Sequence, residues 1–254
     1  MKKSISTLLV VLLTTLVACG GKETKDTVAT RNSTEIDPND KTVYGLACDG
    51  CTDTILVLLR DIESDPDTFN ILQATKYNHV MGRPSIGANM AVVLNAEDST
   101  VADLVINLEE LKASWCYMVK PKLRQRASLA SDNPKTAAQQ LPDSVIKKFM
   151  VPREYGFQLK AENVARPIGM VHRNGTEEES PVEYPILKRY REWHLFNGNL
   201  VLTETALDSL GNAYAVNSDT AQFLLMTPDT LVLRFNDGDH GFYKKIENNK
   251  RIEN

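Results

Sequence analysis

The sequence predicts an all-β protein: a small antiparallel β domain curled into a partial barrel, then an up-and-down β-barrel of about eight strands. Two observations carry this expectation. Apolar side chains alternate over short runs, as in Phe157, Leu159 and Ala161 against Gln158, Lys160 and Glu162, with the same period at Leu231, Leu233 and Phe235. Turn pairs fall between the runs of the stretch Tyr190 to Lys245: Asn197-Gly198, Pro228-Asp229 and Asp237-Gly238.

The 254 residues suit two modest domains, or one large β domain with an extension, behind a targeting segment. Lys2 and Lys3 form a positive start, Leu8 to Val17 an apolar run, and Leu16-Val17-Ala18-Cys19 a small-residue cleavage site followed by cysteine. This stretch resembles a bacterial lipoprotein signal, and the resemblance implies acylation of Cys19, cleavage before it and a lipid-anchored place in the cell envelope, at the outer membrane. Residues 1–18 are thus expected to be a signal peptide, and 19–40 a lipidated cysteine with a polar, aperiodic tether. Several acyl chains on one residue hold a protein to a membrane far more firmly than one.

Removal of Lys2 and Lys3 takes the formal charge from −4 to −6. A mildly acidic chain lacks the clustered cations that displace counterions from phosphates, so nucleic acid is excluded as a partner. No further run approaches the roughly 20 apolar residues needed to cross a bilayer as a helix.

The small domain is expected over 41–126. Its strands read as Thr42 to Ala47, Thr54 to Leu59, Phe69 to Thr75, Ala88 to Leu94, Leu104 to Leu108 and Trp115 to Val119, with turns at Gly82-Arg83-Pro84 and Asn95 to Ser99. Between the first two lies the CxxC of Cys48 and Cys51. Three readings stand open for it. In an oxidising compartment the two cysteines can form a disulfide that pins the turn. As a redox pair they look like a thioredoxin motif, though that motif needs a helix after it and Ile55 to Leu59 is strand-like. As a metal site, paired thiolates suit copper or zinc. Cys116 makes the count odd once Cys19 is acylated, and is either a free thiol or a partner for one of the pair. His79, Met81, Met170 and His172 are isolated soft donors, each read as an ordinary side chain.

Tyr44, Gly45, Leu46, Cys48, Asp49, Cys51, Thr54, Leu56 and Leu58 resemble the YxGxLPCADCxGIxTxLxL pattern of NlpE-type lipoproteins, with Ala47 in place of the proline. That resemblance spans some 16 residues and implies copper or envelope-stress sensing.

Residues 127–149 read as a linker with a short helix capped near Asp143-Ser144, after a basic run of Lys120, Lys122, Arg124 and Arg126. The barrel is expected over 150–246 and a polar tail over 247–254. Its strands are Tyr155 to Ala161, Ile168 to His172, Arg189 to Phe196, Leu200 to Thr205, Ala213 to Val216, Ala221 to Met226, Thr230 to Phe235 and Gly241 to Lys245. Gly156 to Met170, Trp193 to Thr203, the run TPDTLVLRF and the closing GFYKK resemble the lipocalin-like domain of many Gram-negative lipoproteins. Departures are Glu162-Asn163, the Arg166-to-Gly169 run and an acidic insertion over Arg173 to Glu183.

An eight-stranded barrel is either filled by its own side chains or just holds one small ligand. Phe157, Leu159, Trp193 and Phe223 are the candidate pocket residues for an apolar or amphipathic molecule. No GxSxG, P-loop, GxGxxG or HExxH pattern occurs, and His79, His172, His194 and His240 are scattered, so no catalytic residue is expected and the protein reads as a non-enzyme. Three functions follow: a membrane-anchored binding protein for a small apolar ligand; a copper or redox sensor using Cys48 and Cys51, with Cu or Zn as its only candidate cofactor; or an accessory subunit of an outer-membrane complex.

Overall fold

In order, the elements are β1 (Thr42–Ala47), β2 (Ile55–Leu59), β3 (Asp67–Asn70), α1 (Leu72–Lys76), β4 (Val80–Met81), β5 (Asn89–Leu94), β6 (Ala102–Asn107), α2 (Leu108–Leu111), β7 (Ser114–Val119) and β8 (Lys122–Leu123). There follow α3 (Asp143–Phe149), β9 (Arg153–Leu159), β10 (Ala165–Ile168), β11 (Val182–Glu183), β12 (Glu192–Phe196), β13 (Asn199–Leu207), β14 (Ala213–Met226), β15 (Thr230–Phe235) and β16 (Gly238–Lys244). The computed structural model describes residues 39–123, 143–169 and 182–246, all within one compact unit, Asn32–Asn254. The signal segment, Cys19, most of the tether, Arg124, Arg126, Met170 and His172 lie outside the described residues.

The first sheet runs β3-β2-β1-β5-β6-β4, antiparallel except for the short β4–β6 pair. Gly45 lets β2 close on β1, since a Cβ there would stand 2.6 Å from the Leu59 carbonyl oxygen. One face buries Leu56, Leu58, Phe69, Met90, Val92 and Val105. Two expected strands end early. Residues 72–75, expected as strand, fall in α1, because Asn70 turns the chain by accepting the Leu72 N–H on Oδ1 at 3.0 Å. Leu108 begins α2 rather than ending β6, because Asn107 caps that turn, accepting the N–H groups of Glu109 and Glu110 at 2.9 and 3.1 Å.

The second sheet holds eight strands in the order β10-β9-β7-β16-β15-β14-β13-β12, every neighbouring pair antiparallel. Its edges meet at a single bridge between Val164 and Glu192, with Ala165 N–H donating to Arg191 and Trp193 N–H to Asn163, both at 2.8 Å. The result is a nearly closed up-and-down barrel.

Its eight strands are not the eight that the sequence pattern marks out. Ala213–Met226 is one strand of 14 residues, not two. The missing member is β7, expected in the small domain over 41–126, which pairs with β9 and β16 of the larger sheet. Alternation along β7 identifies a strand, but says nothing of which sheet receives it. Gly156 permits the β7–β9 contact, since a Cβ there would fall 2.0 Å from the Trp115 carbonyl oxygen. β10 also begins earlier than expected, at Ala165.

The two sheets share packing. Met81, Ala91 and Ile106 of the first belong to the barrel's hydrophobic cluster, and Gly198 in the β12–β13 turn sits against Val93 and Leu104. At the far end of β13 the chain leaves the barrel wall: β13 pairs with β12 only as far as Thr203, so Thr205–Leu207, paired with Ala213–Ala215 alone, form a projecting ribbon.

Candidate functional site

β1 is pinned at its C-terminal end by three backbone bonds: Ala47 N–H to Ala88 O, Gly87 N–H to Ala47 O, and Cys48 N–H to Val57 O, at 2.9, 2.8 and 2.9 Å. The chain then reverses through Cys48-Asp49-Gly50-Cys51, with Gly50 at φ 93°, a conformation that glycine adopts at little cost, and the Gly50 N–H bound to Asp49 Oδ1 at 2.9 Å. This turn forms one wall of a solvent-open cleft of about 280 Å³. Arg83, Pro84, Ser85 and Ile86, from the loop between β4 and β5, form the other.

Cys48 and Cys51 are free, half-buried thiols. They are not equivalent. Cys51 Sγ receives the Val57 N–H at 3.4 Å and lies 3.2 Å from Cys48 O and 3.6 Å from Val57 O, either of which can accept its S–H. Among the described residues Cys48 Sγ has only the Leu46 carbonyl, at 3.8 Å. One sulfur is therefore held in place and the other is loosely tethered at the cleft.

The opposite loop is fixed through its backbone. Arg83 N–H donates to Glu110 Oε1 at 2.9 Å, and Arg83 O accepts from the buried Asn107 Nδ2 at 2.6 Å. The Arg83 guanidinium has no ion-pair partner among the described residues.

Cys116 stands apart from the pair, on β7 in the barrel wall and fully buried. Burial, with the negative charge of Glu154, pushes its thiol up to about 11, which makes it a poor nucleophile. Among the described residues, no third His, Cys, Asp or Glu joins the pair in a group able to hold a metal. Two soft sulfurs match a monovalent copper ion better than zinc, which takes four ligands in structural sites. His79 Nδ1 faces the Asp103 carbonyl at 3.2 Å, and Met81 is buried in the barrel cluster.

Phe157, Leu159, Trp193 and Phe223, the candidate pocket residues, are buried in one hydrophobic cluster inside the barrel. Phe157 meets Phe242 and Tyr190 edge to face at centroid distances of 5.1 and 6.0 Å, and Trp193 Nε1 donates to Lys160 O at 2.9 Å. Tyr190 closes one side of this cluster: its hydroxyl donates to Asp219 at 2.5 Å, and burial and that bond raise its pKa.

Sequence reasoning singled out the CxxC but not the wall opposite. Arg83 and Pro84 read only as part of a turn with Gly82, Ser85 and Ile86 carried no signal, and nothing in their spacing points to a loop some 35 positions upstream. Comparison with protein-family models, with curated proteins and with solved structures finds no significant match to this chain.

Proposed function

We propose that this protein is a lipid-anchored envelope protein whose Cys48–Cys51 pair works as a dithiol–disulfide switch, the redox form of the sensing that its NlpE-like first strands imply. One observation supports this above the rest: both thiols are free and line a cleft open to solvent, with one sulfur held by the Val57 N–H and the other loose. Closing the disulfide removes two hydrogens from the pair and passes two electrons to an oxidant. It also ties the residue after β1 to the loop that leads into β2, so oxidation is felt at the β1–β2 hairpin.

The experiment is a comparison of wild type with Cys48→Ser and Cys51→Ser in cells challenged with copper and with a thiol oxidant. Loss of the envelope response in both variants supports the switch. A wild-type response in both removes it, and a metal bound to two retained thiols would favour copper capture over redox.

A second reading, an apolar ligand in the barrel, has in its favour that Phe157, Leu159, Trp193 and Phe223 converge. It requires the aromatic cluster to part. Retention of an organic molecule in native mass spectra, lost on Phe223→Asp, would support it.

A further inference from the structure

The thiol cleft carries two charges as well as two sulfurs. Arg83 and Asp49 both line it, one on each wall, and neither forms an ion pair among the described residues. Asp49 uses one oxygen on the Gly50 N–H, which leaves the other available. A guanidinium offers a fork of donors matched to a carboxylate, and a carboxylate accepts from an ammonium.

From this arrangement we infer that the cleft binds a small zwitterionic disulfide of the cystine type, with its carboxylate on Arg83, its ammonium on Asp49 and its sulfur at Cys48. The inference rests on the dithiol reading above and names the co-reactant of that switch. The cleft, about 280 Å³ and open to solvent, is slightly smaller than the roughly 300–1,000 Å³ of small-molecule sites, in keeping with a small ligand. Charge agrees too. A dianionic disulfide meets Asp49 and a net charge of −4, and a dicationic one meets Arg83, whereas a zwitterion complements both groups and is not repelled by the whole chain. Ile86, 74% exposed at the lip, offers an apolar contact for methylene carbons, and the Ser85 hydroxyl a further hydrogen bond.

The reaction balances without another reagent. The Cys48 thiolate attacks one sulfur of the bound disulfide; a mixed disulfide forms, the original S–S bond breaks and one thiolate leaves. The Cys51 thiolate then attacks Cys48 Sγ, the Cys48–Cys51 bond forms and the second thiolate leaves. The protein loses two electrons, the small disulfide gains them, and the two cysteine protons end on the two released thiols. Cys48 is the attacking sulfur because Cys51 is held by Val57.

The test uses the full chain, reduced and purified in detergent, with four disulfides as probes: L-cystine, dithiodiglycolate, cystamine and 2-hydroxyethyl disulfide. Rates of thiol loss are divided by the rate of the same disulfide with free N-acetylcysteine. The expected result is a normalised preference of about tenfold or more for cystine over 2-hydroxyethyl disulfide, the equivalent of one modest ion pair. Arg83→Gln and Asp49→Asn should each bring that ratio towards one, a readout that cancels any change in intrinsic thiol reactivity. Reaction with all four probes without preference, or a preference that survives both substitutions, overturns the inference and leaves the switch standing. Failure of Cys48 and Cys51 to react with any probe overturns both.

Discussion

Asp40 and Asn197, 157 positions apart, are joined by the Asn197 backbone N–H, which donates to Asp40 Oδ1 at 2.8 Å. The same oxygen accepts the Thr42 N–H at 3.0 Å and the Thr42 hydroxyl at 2.6 Å, while Asn197 Oδ1 accepts the Lys41 N–H at 2.9 Å. The chain therefore enters its first strand fastened to the β12–β13 turn, an Asn-Gly turn with φ of 48° and 75° at its centre.

Asp40→Ala should lower the unfolding free energy by about 1–3 kcal/mol, since it leaves three donors without their acceptor. Urea denaturation checks this. A loss below about 0.5 kcal/mol would mean that water replaces the carboxylate freely.

Gly156→Ala and Gly241→Ala form a matched pair. At Gly156 a Cβ would stand 2.0 Å from the Trp115 carbonyl oxygen, so β7 must separate from β9, at a cost of about 3 kcal/mol or more. At Gly241 nothing lies within 4 Å, and the change should stay within about 0.5 kcal/mol of wild type. Parallel thermal melts distinguish the two.

Much of the fold was legible because strand period and turn chemistry are local properties. Asn197-Gly198 closed the hairpin it was expected to close, the turn expected at Asp237-Gly238 fell one residue earlier at Asn236-Asp237, and Phe157, Leu159, Leu231 and Leu233 turned inward while Ala161 lies exposed beyond the end of β9. The place of β7 was not legible, because a strand does not state its partner. Nor was the end of β3, where one Asn side chain outcompetes the apolar run that follows it. At the candidate site the cysteines were visible as a motif. Arg83 was not, because long-range contacts such as the β1–β5 pairing and the Gly87–Ala47 bond bring its loop over the turn.

Glu154 gives the stability a defined pH dependence. It is bonded to Lys245 and, at 2.6 Å, to the Tyr243 hydroxyl, and these partners, Lys245 first, hold its carboxyl below the usual 4.5. A folded-state value below the unfolded one means that the contribution is complete above about pH 4.5 and is lost as pH falls through the folded value. Glu154→Gln should therefore flatten the acid side of the stability profile below that pH and leave the neutral-to-acid slope above it unchanged. Urea midpoints measured from pH 6 to pH 3 read the difference.

Cys116 should behave as a silent thiol. With no exposed surface and a pKa near 11, it should escape iodoacetamide at pH 8 in the folded protein while Cys48 and Cys51 are alkylated, and react only after unfolding in denaturant. Peptide mass mapping assigns each site. Alkylation of Cys116 at the rate of the other two would place it in an open barrel wall.

The measurement to make first is the redox equilibrium of Cys48 with Cys51 in the full chain, poised in thiol–disulfide buffers, acid-quenched and read by the mass difference of two hydrogens. A working switch requires reversible closure at a potential between about −270 and −120 mV, the span of redox-active pairs. A pair that stays reduced at every poise, or one that closes below about −300 mV as an inert structural staple, would contradict it.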